Sequence, residues 1–111
     1  MGKIQKKSEL NIAFKVKSKL DPAVSITKDY WGIIISVKHP SVQGREKEVK
    51  EALVNPDEIR VSKKDPKVYL FYKKHQDKFL CVIARTNAQN GYIITVYYTK
   101  KVKEGKLKWK R

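Results

Sequence analysis

The side chains that could do chemistry in this sequence are a histidine, an arginine, a threonine and a tyrosine: His39, Arg85, Thr95 and Tyr97. Histidine can act as an acid or a base near neutral pH, and arginine binds phosphate through two parallel hydrogen bonds. The 2′-hydroxyl of RNA can attack its own phosphodiester, so these groups suffice for metal-independent RNA cleavage. We therefore predict a catalytic set in which His39 is the acid or base, Arg85 holds the phosphate, and Thr95 and Tyr97 orient it.

Each of these residues also has a structural interpretation. His39 precedes Pro40 before a predicted helix, where it could cap or pack the junction as well as meet a phosphate near the positive end of the helix dipole. Arg85 could form an ion pair with an Asp or Glu instead of binding a ligand. His75 lies in a predicted turn, and we expect it to be solvated.

Other enzyme chemistry finds little support in the sequence. The two histidines and the one cysteine lack the spacing of metal ligands. There is no GxSxG nucleophile elbow and no glycine-rich phosphate loop. We therefore predict no metal site and no cofactor. Cys81 lies in an apolar run, and a buried, inert thiol there fits a reducing cytoplasm.

Positive charge is the strongest compositional feature. Lys and Arg number 26 against 11 Asp and Glu, which gives a formal net charge of +15. Such an excess attracts polyanions and releases their counterions on contact. We predict RNA as the partner, with DNA less favoured, and an acidic protein as a further possible partner. A lysine-rich surface that only serves solubility is the alternative.

Two lysine pairs in predicted turns, Lys63-Lys64 and Lys100-Lys101, are candidates for steering phosphates or are simply solvated.

No apolar run is long enough to cross a bilayer, and the first 20 residues contain no continuous apolar region of a secretory signal. We predict a cytoplasmic protein that does not enter a membrane.

Hydrophobic periodicity predicts strands separated by one helix. Apolar residues alternate with polar ones from Leu10 to Val16, and residues 30–37 are β-branched and aromatic, so both segments favour strands. Residues 41–54 place their apolar side chains on one helical face, and Asn55-Pro56 ends that helix. Turn residues then divide the remainder into five predicted strands, at residues 58–62, 67–73, 78–85, 92–100 and 106–110.

These elements predict an α+β fold in which one main amphipathic helix packs on a curled, roughly four-stranded antiparallel sheet, with extra N-terminal strands. We expect one domain over residues 1–111, made of a basic arm (1–8), N-terminal strands (9–37) and a helix plus antiparallel meander (38–111). Strand alternation places Arg85, Thr95 and Tyr97 on the sheet face opposite the helix, which predicts a cationic and aromatic platform for RNA.

From about residue 38 to 105 the sequence resembles the phage-type barnase–EndoU–colicin–RelE-like nuclease group and related domains of unknown function. The resemblance is carried by several spaced pieces, among them Lys38-His39-Pro40 before a helix, Asn55-Pro56-Asp57-Glu58-Ile59-Arg60, Asp65-Pro66-Lys67-Val68-Tyr69, Leu80-Cys81-Val82-Ile83 and Gly91-Tyr92-Ile93-Ile94-Thr95-Val96-Tyr97.

The resemblance implies a helix on a four-stranded antiparallel sheet, metal-independent RNA cleavage, and a toxin-like role that in some members is neutralised by an antitoxin. The histidine of the family corresponds to His39. Its polar strand positions correspond to Arg60, Tyr69, Arg85, Thr95 and Tyr97.

Three functions compete at this point. The first is a metal-independent RNA endonuclease of RelE-like toxin type, which cleaves by 2′-hydroxyl attack. The second is a non-catalytic module that binds RNA or DNA with the same basic surface. The third is a structural or partner-binding protein with an acidic partner.

Overall fold

A computed structural model describes residues 11–87, 89–102 and 105–111. In these residues seven strands form one sheet in the order β1-β2-β6-β5-β4-β3-β7. Neighbouring strands are antiparallel, except that β2 runs parallel to β6. The strands are β1 (Ile12–Lys17), β2 (Ala23–Thr27), β3 (Glu58–Val61), β4 (Val68–His75), β5 (Lys78–Thr86), β6 (Asn90–Thr99) and β7 (Lys106–Lys110).

The predicted fold, one main helix on a four-stranded antiparallel sheet, is therefore wrong. The sheet of the described residues is seven-stranded and mixed, and its two α-helices are short: α1 (Lys28–Ile33) and α2 (Glu46–Val54). The strands β3 to β6 do form an antiparallel meander, but β2 joins it in parallel beside β6 and β7 extends it beside β3. Strand alternation does not encode these long-range pairings.

The predicted helix over residues 41–54 is interrupted. Pro40–Val42 forms a 3₁₀ turn, and regular α-helix begins only at Glu46. Gly44 between them has a φ of +76°, in the left-handed region that glycine adopts without strain. Because of this left-handed residue, the buried Val42 belongs to the 3₁₀ turn and is not part of the regular helix α2.

The strand predicted over residues 30–37 is also wrong, because this segment is helical. The hydroxyl of Thr27 accepts a hydrogen bond from the backbone N–H of Tyr30 and caps α1. A π-helical turn, Ile34–Lys38, follows α1 directly. Trp31 and Ile34 lie three residues apart and are both buried, so tertiary packing on one helical face overrides the strand propensity of the β-branched residues. The predicted basic arm and Leu10 lie outside the described residues.

The main core lies between one face of the sheet and the helical segments. It is formed by strand residues from β1 to β6 and by the apolar faces of α1, α2 and the turns between them. Its fully or almost fully buried members include Val24, Trp31, Ile34, Val42, Val49, Leu53, Ile59, Phe71, Leu80, Val82, Ile93 and Val96.

A bulge in β6 changes which side chains face this core. Ile83 pairs with Thr95, but the next residue, Ala84, pairs with Ile93, so Ile94 is the extra residue. Ile93 is consequently buried in the main core. Simple alternation from Val96 predicts Ile94 on that face, and this assignment is wrong because the bulge shifts the register by one residue.

The opposite face of the sheet is covered at its centre by the chain itself. Leu70, Tyr72 and Cys81 form a second buried cluster, and Val102 packs against it. The Arg60 guanidinium donates a hydrogen bond to the carbonyl of Gly105 on the same side. The predicted open platform is thus closed in the middle of the sheet, because Val102, which follows β6, packs over this face.

Gly105 permits the entry of the chain into β7. Its φ is +83°, and a Cβ atom there would lie 2.6 Å from the carbonyl oxygen of Val61. Gly44 has a similar φ of +76°, but a Cβ atom there would meet nothing within 4 Å. A substitution at Gly44 therefore has only the energetic cost of the positive φ, whereas a substitution at Gly105 has that cost and a steric clash as well.

We predict that Gly105→Ala lowers the free energy of unfolding by about 2 to 4 kcal/mol, because strain and clash add. Gly44→Ala, the matched control, should cost only about 1 kcal/mol from its positive φ. Urea denaturation of both variants measures the difference. Equal losses in the two variants would show that the close approach to Val61 is not tight.

Candidate nucleic-acid interface

Arg85 lies at the open end of the second sheet face and forms an ion pair with Asp65. The Nη1 atom of Arg85 donates to one carboxylate oxygen of Asp65, and the other oxygen accepts the backbone N–H of Lys67 at 2.9 Å. The two paired side chains are 39% and 33% exposed. The guanidinium therefore has a fixed orientation and keeps further N–H donors for a ligand.

The carboxylate of Asp65 stays ionised in this arrangement. The backbone N–H of Lys67 and the positive charge of Arg85 lower the pKa of Asp65, against a partial loss of hydration that raises it. The ion pair that was the structural alternative for Arg85 is thus present. It does not bury Arg85 or withdraw it from solvent.

Three cavities adjoin one another near Arg85, which lines the first two. The first is about 600 Å³ in volume and shares Arg85 and Tyr92 with the second, of about 450 Å³. The second shares Lys67, Thr86 and Asn87 with the third, of about 570 Å³. We call the three cavities together the Arg85 groove. The residues shared between neighbouring cavities are Lys67, Arg85, Thr86, Asn87 and Tyr92.

The first cavity of the groove opens because β2 and β6 diverge. They pair only from Ala23 with Asn90 to Ser25 with Tyr92. Beyond this point the hydroxyl of Tyr30 in α1 donates a hydrogen bond to the carbonyl of Ile94, and the first cavity lies in the gap. Tyr92 is 54% exposed and is the cross-strand partner of Arg85.

A second group of predicted residues lies at the other end of β6. The rings of His39 and Tyr97 are 5.6 Å apart between centroids and are inclined at 44°. His39 follows the π-helical turn, and its backbone N–H donates to the carbonyl of Ile34. Thr95 precedes Tyr97 by two residues, and its buried hydroxyl has no hydrogen-bond partner in the described part of the chain.

The predicted catalytic set is therefore divided in space. Tyr97 pairs with Cys81, whereas Arg85 lies four residues further along the same strand, a separation of about 13 Å between backbone positions. Thr95 lies between them, opposite Ile83. The structure brings His39 to Tyr97 and leaves Arg85 in a different part of the second face.

The remaining predicted binding residues have different surroundings. Arg60 is held by Glu58 and by the carbonyl of Gly105, so it supports the arrival of β7. Tyr69 lines the third cavity of the Arg85 groove. The four lysines of the two predicted pairs are all exposed, in the β3–β4 turn and after β6: Lys63, Lys64, Lys100 and Lys101.

The groove residues that the sequence analysis did not predict include Asp65, Lys67 and Tyr92. The signal for Tyr92 was present, because a hairpin turn between β5 and β6 places it opposite Arg85. The contact from Asp65 to Arg85 depends on the conformation of the β3–β4 turn, for which alternation gives no signal.

Residues 45–98 match the family DUF4258, which is described as a domain of unknown function. The match covers α2, β3, β4, β5 and nearly all of β6. It confirms the predicted resemblance to a domain of unknown function. No curated protein and no solved structure gives a significant match.

Across the described residues, none of the helices is long and apolar enough to cross a membrane.

We predict that Asp65→Asn lowers the free energy of unfolding at neutral pH, because it removes the carboxylate that Lys67 and Arg85 hold ionised. A lowered pKa gives stability above the ordinary aspartate pKa of about 3.9, and that stability is lost as the pH falls through the folded value. The difference between wild type and variant should therefore vanish in acid. Urea denaturation across this pH range measures it.

The control for this prediction is Asp77→Asn, which makes the same change at an exposed turn position. It should change the free energy of unfolding less than Asp65→Asn, because it leaves the pair of Asp65 and Arg85 intact. A difference at position 65 that persists unchanged in acid would show that the ionised carboxylate is not the cause.

Proposed function

We propose that this protein binds RNA through the Arg85 groove. The observation that carries the proposal is the cross-strand pair of Arg85 and the exposed Tyr92 at the mouth of the groove, in a chain with a net charge of +15. A cation next to an exposed aromatic ring matches the two parts of a nucleotide, its phosphate and its base.

Lysines of the β3–β4 turn extend the positive surface next to this pair. Lys67 is exposed and lines two of the three cavities. Lys63 and Lys64 are exposed in the same β3–β4 turn. Neutralisation of phosphates by such groups releases counterions, so the affinity should fall steeply with salt concentration.

We predict that Arg85→Ala weakens RNA binding about tenfold at low salt, the expected loss of one charge-assisted hydrogen-bonding group. Arg45→Ala is the matched control, because Arg45 is also partly exposed and paired with a carboxylate, Glu48, but does not line the groove. Fluorescence anisotropy with a labelled RNA at several salt concentrations measures both. Equal losses in the two variants would assign the effect to net charge instead of the groove.

Metal-independent RNA cleavage is the second candidate function, as in an endonuclease of RelE-like toxin type. The observation that favours it is the contact of the His39 ring with the Tyr97 ring of β6. The imidazole of His39 is half-exposed and is a suitable acid or base for 2′-hydroxyl attack. An acidic, antitoxin-like protein is the partner that this function implies for the basic surface.

We predict that purified protein cleaves RNA in EDTA and that His39→Ala lowers the rate at least about 100-fold, the usual contribution of a general acid or base. His75→Ala is a close control, because His75 lies 5.9 Å from the Tyr98 ring at the same 44° inclination. Gel analysis of labelled RNA, with detection of 2′,3′-cyclic phosphate ends, measures cleavage. Binding of several RNAs without cleavage would leave the protein a non-catalytic RNA-binding module.

A further inference from the structure

The first cavity of the Arg85 groove differs chemically from its neighbours. Most of its surface comes from apolar or aromatic side chains, which are Ile26, Tyr30, Val68, Tyr92, Ile93 and Ile94. Arg85 and Asp65 stand at its polar side. Its volume of about 600 Å³ is in the ordinary range for small-molecule pockets.

The second cavity, by contrast, is polar. Ser25, Lys67, Asn87 and Asn90 line it, and it joins the first at Arg85 and Tyr92. An apolar cavity next to a cationic, polar one matches the two parts of a nucleotide, because its flat apolar base adjoins an anionic phosphate.

The walls of the first cavity are held in place. The Tyr30 hydroxyl donates to the carbonyl of Ile94 and accepts a hydrogen bond from the Lys38 ammonium at 3.1 Å. On the other side, the ion pair with Asp65 fixes Arg85 beside Tyr92. A site that is already formed loses little conformational entropy when a ligand binds.

We propose that the first cavity binds one unpaired RNA base, stacked on the ring of Tyr92, while its phosphate lies at Arg85 and Lys67. This inference rests on the proposed RNA binding and narrows it to single-stranded RNA. A base inside a duplex is stacked on both faces and paired at its edge, so it cannot enter the cavity without being extruded.

Two forms of one RNA sequence, single-stranded and duplex, test the proposal. Each is labelled, is about ten nucleotides long, and is titrated by fluorescence anisotropy at one salt concentration. We expect Tyr92→Ala to weaken single-strand binding about tenfold, within the range measured for the loss of one stacked base, and to leave duplex binding unchanged. Tyr92→Phe should retain the wild-type affinity, because the ring remains.

Leu107→Ala is the matched surface control, since Leu107 is 56% exposed and lines none of the three cavities. A single-stranded RNA with one 2-aminopurine base adds a direct readout. Its fluorescence should fall on binding to wild type, because the base stacks on Tyr92, and should not fall with Tyr92→Ala at saturating protein. Circular dichroism and thermal melting establish that each variant is folded.

The outcomes separate this inference from the proposed function. If wild type binds neither RNA form, the proposed RNA binding itself is wrong. If wild type binds both forms equally and Tyr92→Ala changes neither affinity, RNA binding stands and the base-binding cavity is overturned. Equal weakening of both forms by Tyr92→Ala would also overturn it, because Tyr92 would then contribute to the backbone contacts that both forms share.

Discussion

The parallel pairing of β2 with β6 covers three residue pairs, from Ala23 with Asn90 to Ser25 with Tyr92, and much of the remaining structure depends on where it ends. A parallel pair requires a crossover connection, and the chain between β2 and β6 contains α1 and α2 followed by the strands β3 to β5. Their buried faces close the main core. Because β2 leaves β6 after Ser25, a gap opens beside Ile94, and Tyr30 from the crossover satisfies its carbonyl. The same geometry thus forms both the core and the candidate site.

Ion pairing divides the basic residues of this protein into two groups. Each of the four arginines in the sequence forms an ion pair with a carboxylate, in the pairs Arg45–Glu48, Arg60–Glu58, Arg85–Asp65 and Arg111–Asp57. Of the lysines in the described residues, Lys17 alone forms one, with the exposed Asp21. Arginine therefore serves mainly local structure, and lysine supplies the long-range field. Arg85 belongs to both groups, because its ion pair orients a guanidinium that still faces the groove.

Local pattern was sufficient to predict one part of the fold. The strands β3 to β7 lie within two residues of their predicted bounds, because turn residues and alternation mark them clearly. The helical structure around Trp31 was not predicted, since its burial depends on partners distant in sequence. The bulge at Ile94 and the covering of the second face by Val102 were missed for the same reason. Arg85 was found as a candidate, but its partners Asp65 and Tyr92 come from the β3–β4 turn and the strand register.

The position of the two candidate sites on one strand bears on how binding and cleavage would be related. Tyr92 at the groove and Tyr97 beside His39 pair with Arg85 and Cys81 on β5, so the two sites are about 13 Å apart along the strands. One phosphate cannot contact both places, so Arg85 cannot stabilise a reaction at His39 directly. Recognition of a base in the groove would instead select which phosphodiester, a few nucleotides away, lies against His39. In such an arrangement Arg85 would govern affinity and His39 the chemical step, as is expected of a site where binding and reaction are separate.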